Sequence, residues 1–124
     1  MTCPNDPTPQ LLRAFEQFNH GEYWEQHETL EQIWRAERDE TIRNFYKGVL
    51  QIGVGFYHLA RQNSPGAIKV LTRGINYLRP YSPRCFGVDV ARLIDESSRI
   101  LDRVQSRKEI AMNDLPRVHY QSEI

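Results

Sequence analysis

The chain of 124 residues has little of what most function classes require. It has no surplus of charge, because 16 Lys and Arg balance 16 Asp and Glu. Neither a nucleic-acid partner nor an anionic membrane surface is therefore expected. It has no apolar run near the roughly 20 residues of a membrane span. It has two cysteines, Cys3 and Cys85, and their spacing matches no metal or redox motif, so a reduced, cytoplasmic setting is expected. The opening MTCPNDPTPQ is polar and proline-bearing, unlike the apolar centre of a signal peptide. Strand-like alternation, low-complexity stretches and exact repeats are absent as well.

What remains is aromatic and helical. Two Trp, six Tyr and five Phe favour a packed core over disorder, and the length suits one compact domain. Thr8 and Pro9 form a helix start, after which Leu11, Leu12, Phe15 and Phe18 recur at helical spacing. Asn19-His20-Gly21 stops this first helix. A second is expected over about 22–38, with Glu22 and Glu25 in its first turn and Arg35 and Arg38 in its last, as the helix dipole favours. A third is expected over about 41–62. Ser64 as cap and Pro65 as first residue open a fourth, with Ile68, Leu71, Ile75 and Leu78 as its stripe. Residues 80–88 read as a loop. A fifth helix over about 89–108 turns Val90, Leu93, Ile94, Ile100, Leu101 and Val104 inward. The fold class is all-α, a bundle of about five helices. Its divisions are a flexible N-terminus at 1–7, the helical domain at 8–112 and a polar, extended or mobile C-terminal tail at 113–124.

Two helices carry anomalies. At about 100° per residue, Tyr23, Trp24, His27, Leu30, Glu31, Ile33 and Trp34 of the second helix share one arc. A histidine and a glutamate one turn apart on an apolar face call for a partner or a task. The third helix has no charged residue from Gly48 to Ala60, as expected of a central helix buried all round. Phe45, Val49, Ile52, Phe56 and Leu59 make its apolar face, while Gln51 and His58 make a polar stripe flanked by Asn44 and Gln62. Gly48, Gly53 and Gly55 cost helix stability and imply close approach of another helix or a ligand. A short connection makes the second and third helices antiparallel. Their stripes are then expected to meet, with Glu31 and His58 in hydrogen-bond or metal-bridging range.

The run Phe18-Asn19, Tyr23, His27-Glu28, Leu30-Glu31, Trp34, then Gly48, Gln51, His58, Asn63, Gly66-Ala67 and Gly74, resembles the small helical family called domain of unknown function 309, over about residues 11–80. The resemblance implies a compact helical bundle of the kind found in bacterial and archaeal proteins, and it implies no activity. Its signature positions here are His27, Glu28, Glu31, Trp34, Gln51, His58 and Asn63. Where members of the family carry glycine before the asparagine, this chain has Gln62.

Two functions follow as expectations. The first is an enzyme of hydrolytic type or a metal-binding protein. His27, Glu28, Glu31, Gln51 and His58 form its catalytic set, and His27, Glu31 and His58 are its ligands for a divalent metal such as zinc, iron or manganese. The string HETLE lacks the second histidine of the zinc-protease motif, and the paired Glu-x-x-His of di-iron bundles is missing. The second is a non-enzymatic module for protein interaction or dimerisation, in which the seam only fixes helix register. The partner is then another protein or a second copy, and under the first reading a small molecule. Trp24 and Trp34 read as core residues, Glu25 as a surface acid, and Lys69 with Arg73 as a solvated face.

Overall fold

The structure, a computed structural model, describes residues 3–121. Its helices are α1 (Pro9–Asn19), α2 (Tyr23–Ala36), α3 (Glu40–Ala60), α4 (Ser64–Leu78) and α5 (Val90–Gln105). Thr8 caps α1 as expected, and the cap of α4 is Asn63, one residue before the expected Ser64. The Thr8 side chain accepts from the Leu11 amide, Asp39 from Thr41 and Ile42, Asn63 from Gly66 and Asp89 from Arg92. Among the described residues no helix is long and apolar enough to cross a membrane.

The helices pack in sequence order, and α3 and α4 make the most intimate pair. Glycine sets that intimacy. A β-carbon added to Gly48 would come within 2.7 Å of Leu78, one on Gly55 within 2.5 Å of Leu71, and one on Gly74 within 3.0 Å of the Ile52 backbone nitrogen. Another helix, rather than a ligand, therefore explains Gly48 and Gly55. Where α1, α2 and α3 meet, the rings of Phe18, Tyr23 and Phe56 lie edge-on at centroid distances of 5.5, 5.7 and 5.8 Å. Such pairs contribute beyond their buried area. At the opposite end Phe45 stacks with Tyr81 and Phe86 at 5.4 and 5.3 Å.

Two expectations change at the edges of the bundle. Residues 80–88 are more than a loop. After a 3-10 turn at Arg79–Tyr81 they form a minimal antiparallel hairpin, β1 (Arg84–Cys85) with β2 (Val88–Asp89). Strands of two residues are too short to show an alternating pattern. The hairpin gathers both ends of the described chain. Pro4 accepts from the Phe86 amide at 2.7 Å, His119 from Asp89 at 2.8 Å, and Gln121 donates to Gly87 at 3.0 Å. Asn19 clasps the backbone of Val118 with both amide atoms, at 2.7 and 3.0 Å. Leu115, Pro116 and Val118 are buried, so the segment read as polar tail is packed up to residue 121. Residues 122–124, the end of that tail, lie outside the described residues. Cys3 and Cys85 are joined in a disulfide with Cα atoms 5.1 Å apart. The spacing of the two cysteines carried no sign of this pairing, which spans 82 residues.

Candidate functional site

The first correction concerns the rotation of α2. Its buried residues are Tyr23, Gln26 and Leu30, with Ile33 and Trp34 half-buried. Trp24, expected in the core, is 49 % exposed. The inward stripe packs on both α1 and α3, with Tyr23 against Phe18 and Phe56 and Gln26 over Gly53, and on the α1 side Thr29 donates to Gln17 at 2.7 Å. His27 and Glu31 therefore sit at the edge of the α2–α3 contact, with side chains 25 % and 31 % exposed.

These two are brought together. His27 Nε2 lies 3.4 Å from a Glu31 oxygen, and the other Glu31 oxygen accepts from Arg35 one turn further on. When Nε2 carries the proton towards Glu31, the imidazole lone pair is on Nδ1. That nitrogen is out of water and has no hydrogen-bond partner. The basic atom of the dyad thus faces protein rather than solvent, the reverse of what a general base needs. Trp24 stacks on His27 at 5.2 Å and on Tyr57 at 5.6 Å, and Arg61 covers Tyr57 at 5.6 Å. The result is an aromatic ridge crossing from α2 to α3.

The other expected members lie elsewhere. The Gln51 β-carbon stands against Gly74, where a β-carbon would be 3.2 Å away, so Gln51 belongs to the α3–α4 contact. Its carbonyl oxygen is buried without a partner. Asn63 donates to His58 Nδ1 at 3.3 Å and accepts from the Gly66 amide at 3.1 Å. His58, Asn63 and Gly66 together shape the corner between α3 and α4. That corner keeps its form with Gln62 in left-handed backbone at φ 58°, where glycine would be at ease. Glu28 is exposed and lines a depression on the opposite flank with Arg13, Gln17 and Glu25. No hydrogen bond or ion pair joins Glu31 to His58 among the described residues. Nor does any group of three His, Cys, Asp or Glu side chains there stand close enough to hold a metal ion. The set His27, Glu28, Glu31, Gln51 and His58 is thus divided among three surroundings, and the ligand trio His27, Glu31 and His58 is not assembled.

Gln26 was missed by sequence reasoning. It is 0 % exposed, and both amide atoms lack partners. Its carboxamide lies over Gly53, whose missing side chain leaves the space. Position 26 is three after Tyr23 and four before Leu30, the centre of a core stripe, and that was the available signal. Burial raises the pKa values of Tyr23, Tyr46, Tyr81 and Tyr120, the first two furthest. Burial pushes Tyr23 up to about 12, partly opposed by Arg117. Burial and the Glu37 carboxylate push Tyr46 up to about 12.

An uncharacterized protein of Bacillus subtilis (strain 168), YpuF, is 26 % identical over 87 residues, which cover 68 % of this chain and 50 % of the relative. The chain thus matches half the length of that relative. Residues 11–70, from α1 into α4, match the family model described as "Domain of unknown function (DUF309)", so over this helical segment the chain is similar to that family.

Proposed function

We propose that the chain is a non-enzymatic interaction module that docks a second copy of itself through the ridge of Trp24, His27 and Tyr57. The observation that carries this reading is Trp24, a large aromatic half exposed beside a well-filled core. Aromatic side chains in such positions supply contact area at low entropic cost and dominate interface energies. An interface between identical copies must complement itself. The flanks of the ridge carry both signs, with Glu31 beside Arg35 and Arg61 beyond Tyr57. The formal net charge is zero, so two copies meet without long-range repulsion. Under this reading the His27–Glu31–Arg35 run holds the ridge in place.

Sedimentation equilibrium on the wild type and Trp24→Ser tests the proposal. The wild type is expected to self-associate, and the variant to be monomeric with unchanged helix content. A monomeric wild type at all accessible concentrations overturns the reading, as does a variant that associates equally well.

A further inference from the structure

Ten residues along α2 from Trp24, about 15 Å by helix rise, a second tryptophan has different company. Trp34, Arg38, Glu40, Arg43, Asn44 and Lys47 line a surface cavity of about 350 Å³ between the end of α2 and the first turns of α3. The Arg43 guanidinium lies 5.1 Å above the Trp34 ring, and the Lys47 ammonium is 5.9 Å from the same ring and 5.1 Å from that of Tyr77. We propose that this cavity binds a phosphate group, as a free phosphate compound or as a phosphorylated side chain.

Charge carries the argument. Three cations face the cavity against the single carboxylate of Glu40, which leaves a surplus of two positive charges, the complement of a phosphate dianion. Among the described residues Arg38, Arg43 and Lys47 join no ion pair. The neighbouring acids Glu31, Glu37 and Asp39 lie outside the cavity lining and form no ion pair with these three cations. Glu37 accepts from the Arg38 and Asp39 amides and lies in a separate depression with Tyr46. Asp39 accepts from Thr41 and Ile42. Glu31 is paired with Arg35.

Positioning adds to charge. The Arg43 Nε is out of water, so a ligand in the cavity meets the two terminal nitrogens of the guanidinium. Stacking on Trp34 restricts the guanidinium before any ligand binds, so its planar donors meet an oxyanion with less entropy to lose. Lys47, seated between the Trp34 and Tyr77 rings, adds a point charge from the next turn of α3. Arginine with lysine beside an aromatic ring is suited to a phosphate oxyanion, and the twofold surplus of charge favours it over a single carboxylate.

The test is a titration followed by nuclear magnetic resonance at the Arg43 Nε–H and the Trp34 indole N–H. The probes are inorganic phosphate, a phosphoserine peptide, the unphosphorylated peptide and acetate. Saturable shifts are expected with phosphate or the phosphopeptide. They should weaken as pH falls through the second phosphate pKa, about 6 for a phosphate monoester. Phosphate binding alone assigns a free compound, and a much tighter phosphopeptide assigns a modified protein. Arg43→Gln is expected to weaken binding about tenfold or more, the worth of a charge-assisted hydrogen bond. Lys47→Gln, a milder change to the fold, should weaken it as well. The proposal is overturned if phosphate and phosphopeptide give no saturable shift, if acetate or the unphosphorylated peptide matches them, or if folded Lys47→Gln binds as the wild type does.

Discussion

Gln62→Gly is expected to stabilise the protein, and the corner between α3 and α4 sets the size of the gain. Helix α3 ends with two reversed hydrogen bonds, from the Asn63 amide to His58 at 2.8 Å and from the Gln62 amide to Leu59 at 3.0 Å. This is the pattern of a helix closed by a left-handed residue, and Gln62 occupies the left-handed position at φ 58°. A residue with a β-carbon pays roughly 1–2 kcal/mol there. Glycine removes that cost and loses roughly 0.5–1 kcal/mol through the greater freedom of its unfolded chain. The net gain is about 0.5–1 kcal/mol, or roughly 2–6 °C in melting temperature for a domain of this size. Gln62 is exposed, so its side chain gives up no core packing. Urea unfolding of the wild type and variant measures the change, and an unchanged m-value certifies it as one of stability. Arg107, at φ 58° after α5, closes its helix with the same two bonds, Lys108 to Arg103 at 2.9 Å and Arg107 to Val104 at 3.1 Å. Arg107→Gly should act alike, whereas Ala60→Gly within α3 should cost about 1 kcal/mol. A lower midpoint for Gln62→Gly at constant m would refute the reasoning.

Other outcomes follow from single contacts. Gly53→Ala should destabilise by about 1–3 kcal/mol in a urea melt, because its β-carbon meets the Gln26 carboxamide and an overfilled core costs that much. Gln26→Met keeps the length and removes two unpartnered polar atoms, so it should raise the melting temperature; a fall would show that the amide is satisfied in solution. His27→Ala should cost less than about 1 kcal/mol, since the Glu31 pair is partly exposed and such pairs are worth little; a larger loss would point to a buried role for the ring. Stability should fall as pH rises from about 10 towards the raised values near 12 of Tyr23 and Tyr46. In that window the unfolded chain has released phenol protons that the folded chain retains, so the slope is negative. Tyr23→Phe and Tyr46→Phe should each flatten that decline in alkaline melts.

The helices were legible because their signals are local. Asn19-His20-Gly21 ends α1 where expected, and Ser64-Pro65 opens α4, with the cap one residue earlier at Asn63. Glycines at 48, 53 and 55 announced close contact and met Leu78, Gln26 and Leu71. The rotation of α2 was less legible. An arc of about half a turn fits several centres, and only packing against α1 and α3 decides that Gln26 faces in and Trp24 out. Long-range partners left no trace in the spacing. Cys3 meets Cys85 across 82 residues, and Asn19 meets Val118 across 99. The candidate site suffered most from this. His58 and Gln51 shared a polar stripe with the right period to face α2, but the glycines beside them drew that stripe against α4.

The central claim is that Trp24 is the contact point between two copies, and its own fluorescence tests that most directly. In Trp34→Phe the remaining tryptophan is Trp24, and collisional quenching by iodide reports its exposure. As protein concentration rises, quenching of Trp24 is predicted to fall and its emission to shift to the blue, along the same curve as the rise in sedimentation mass. A Trp24 that stays equally open to iodide while the mass increases, or a mass that never increases, would contradict the account.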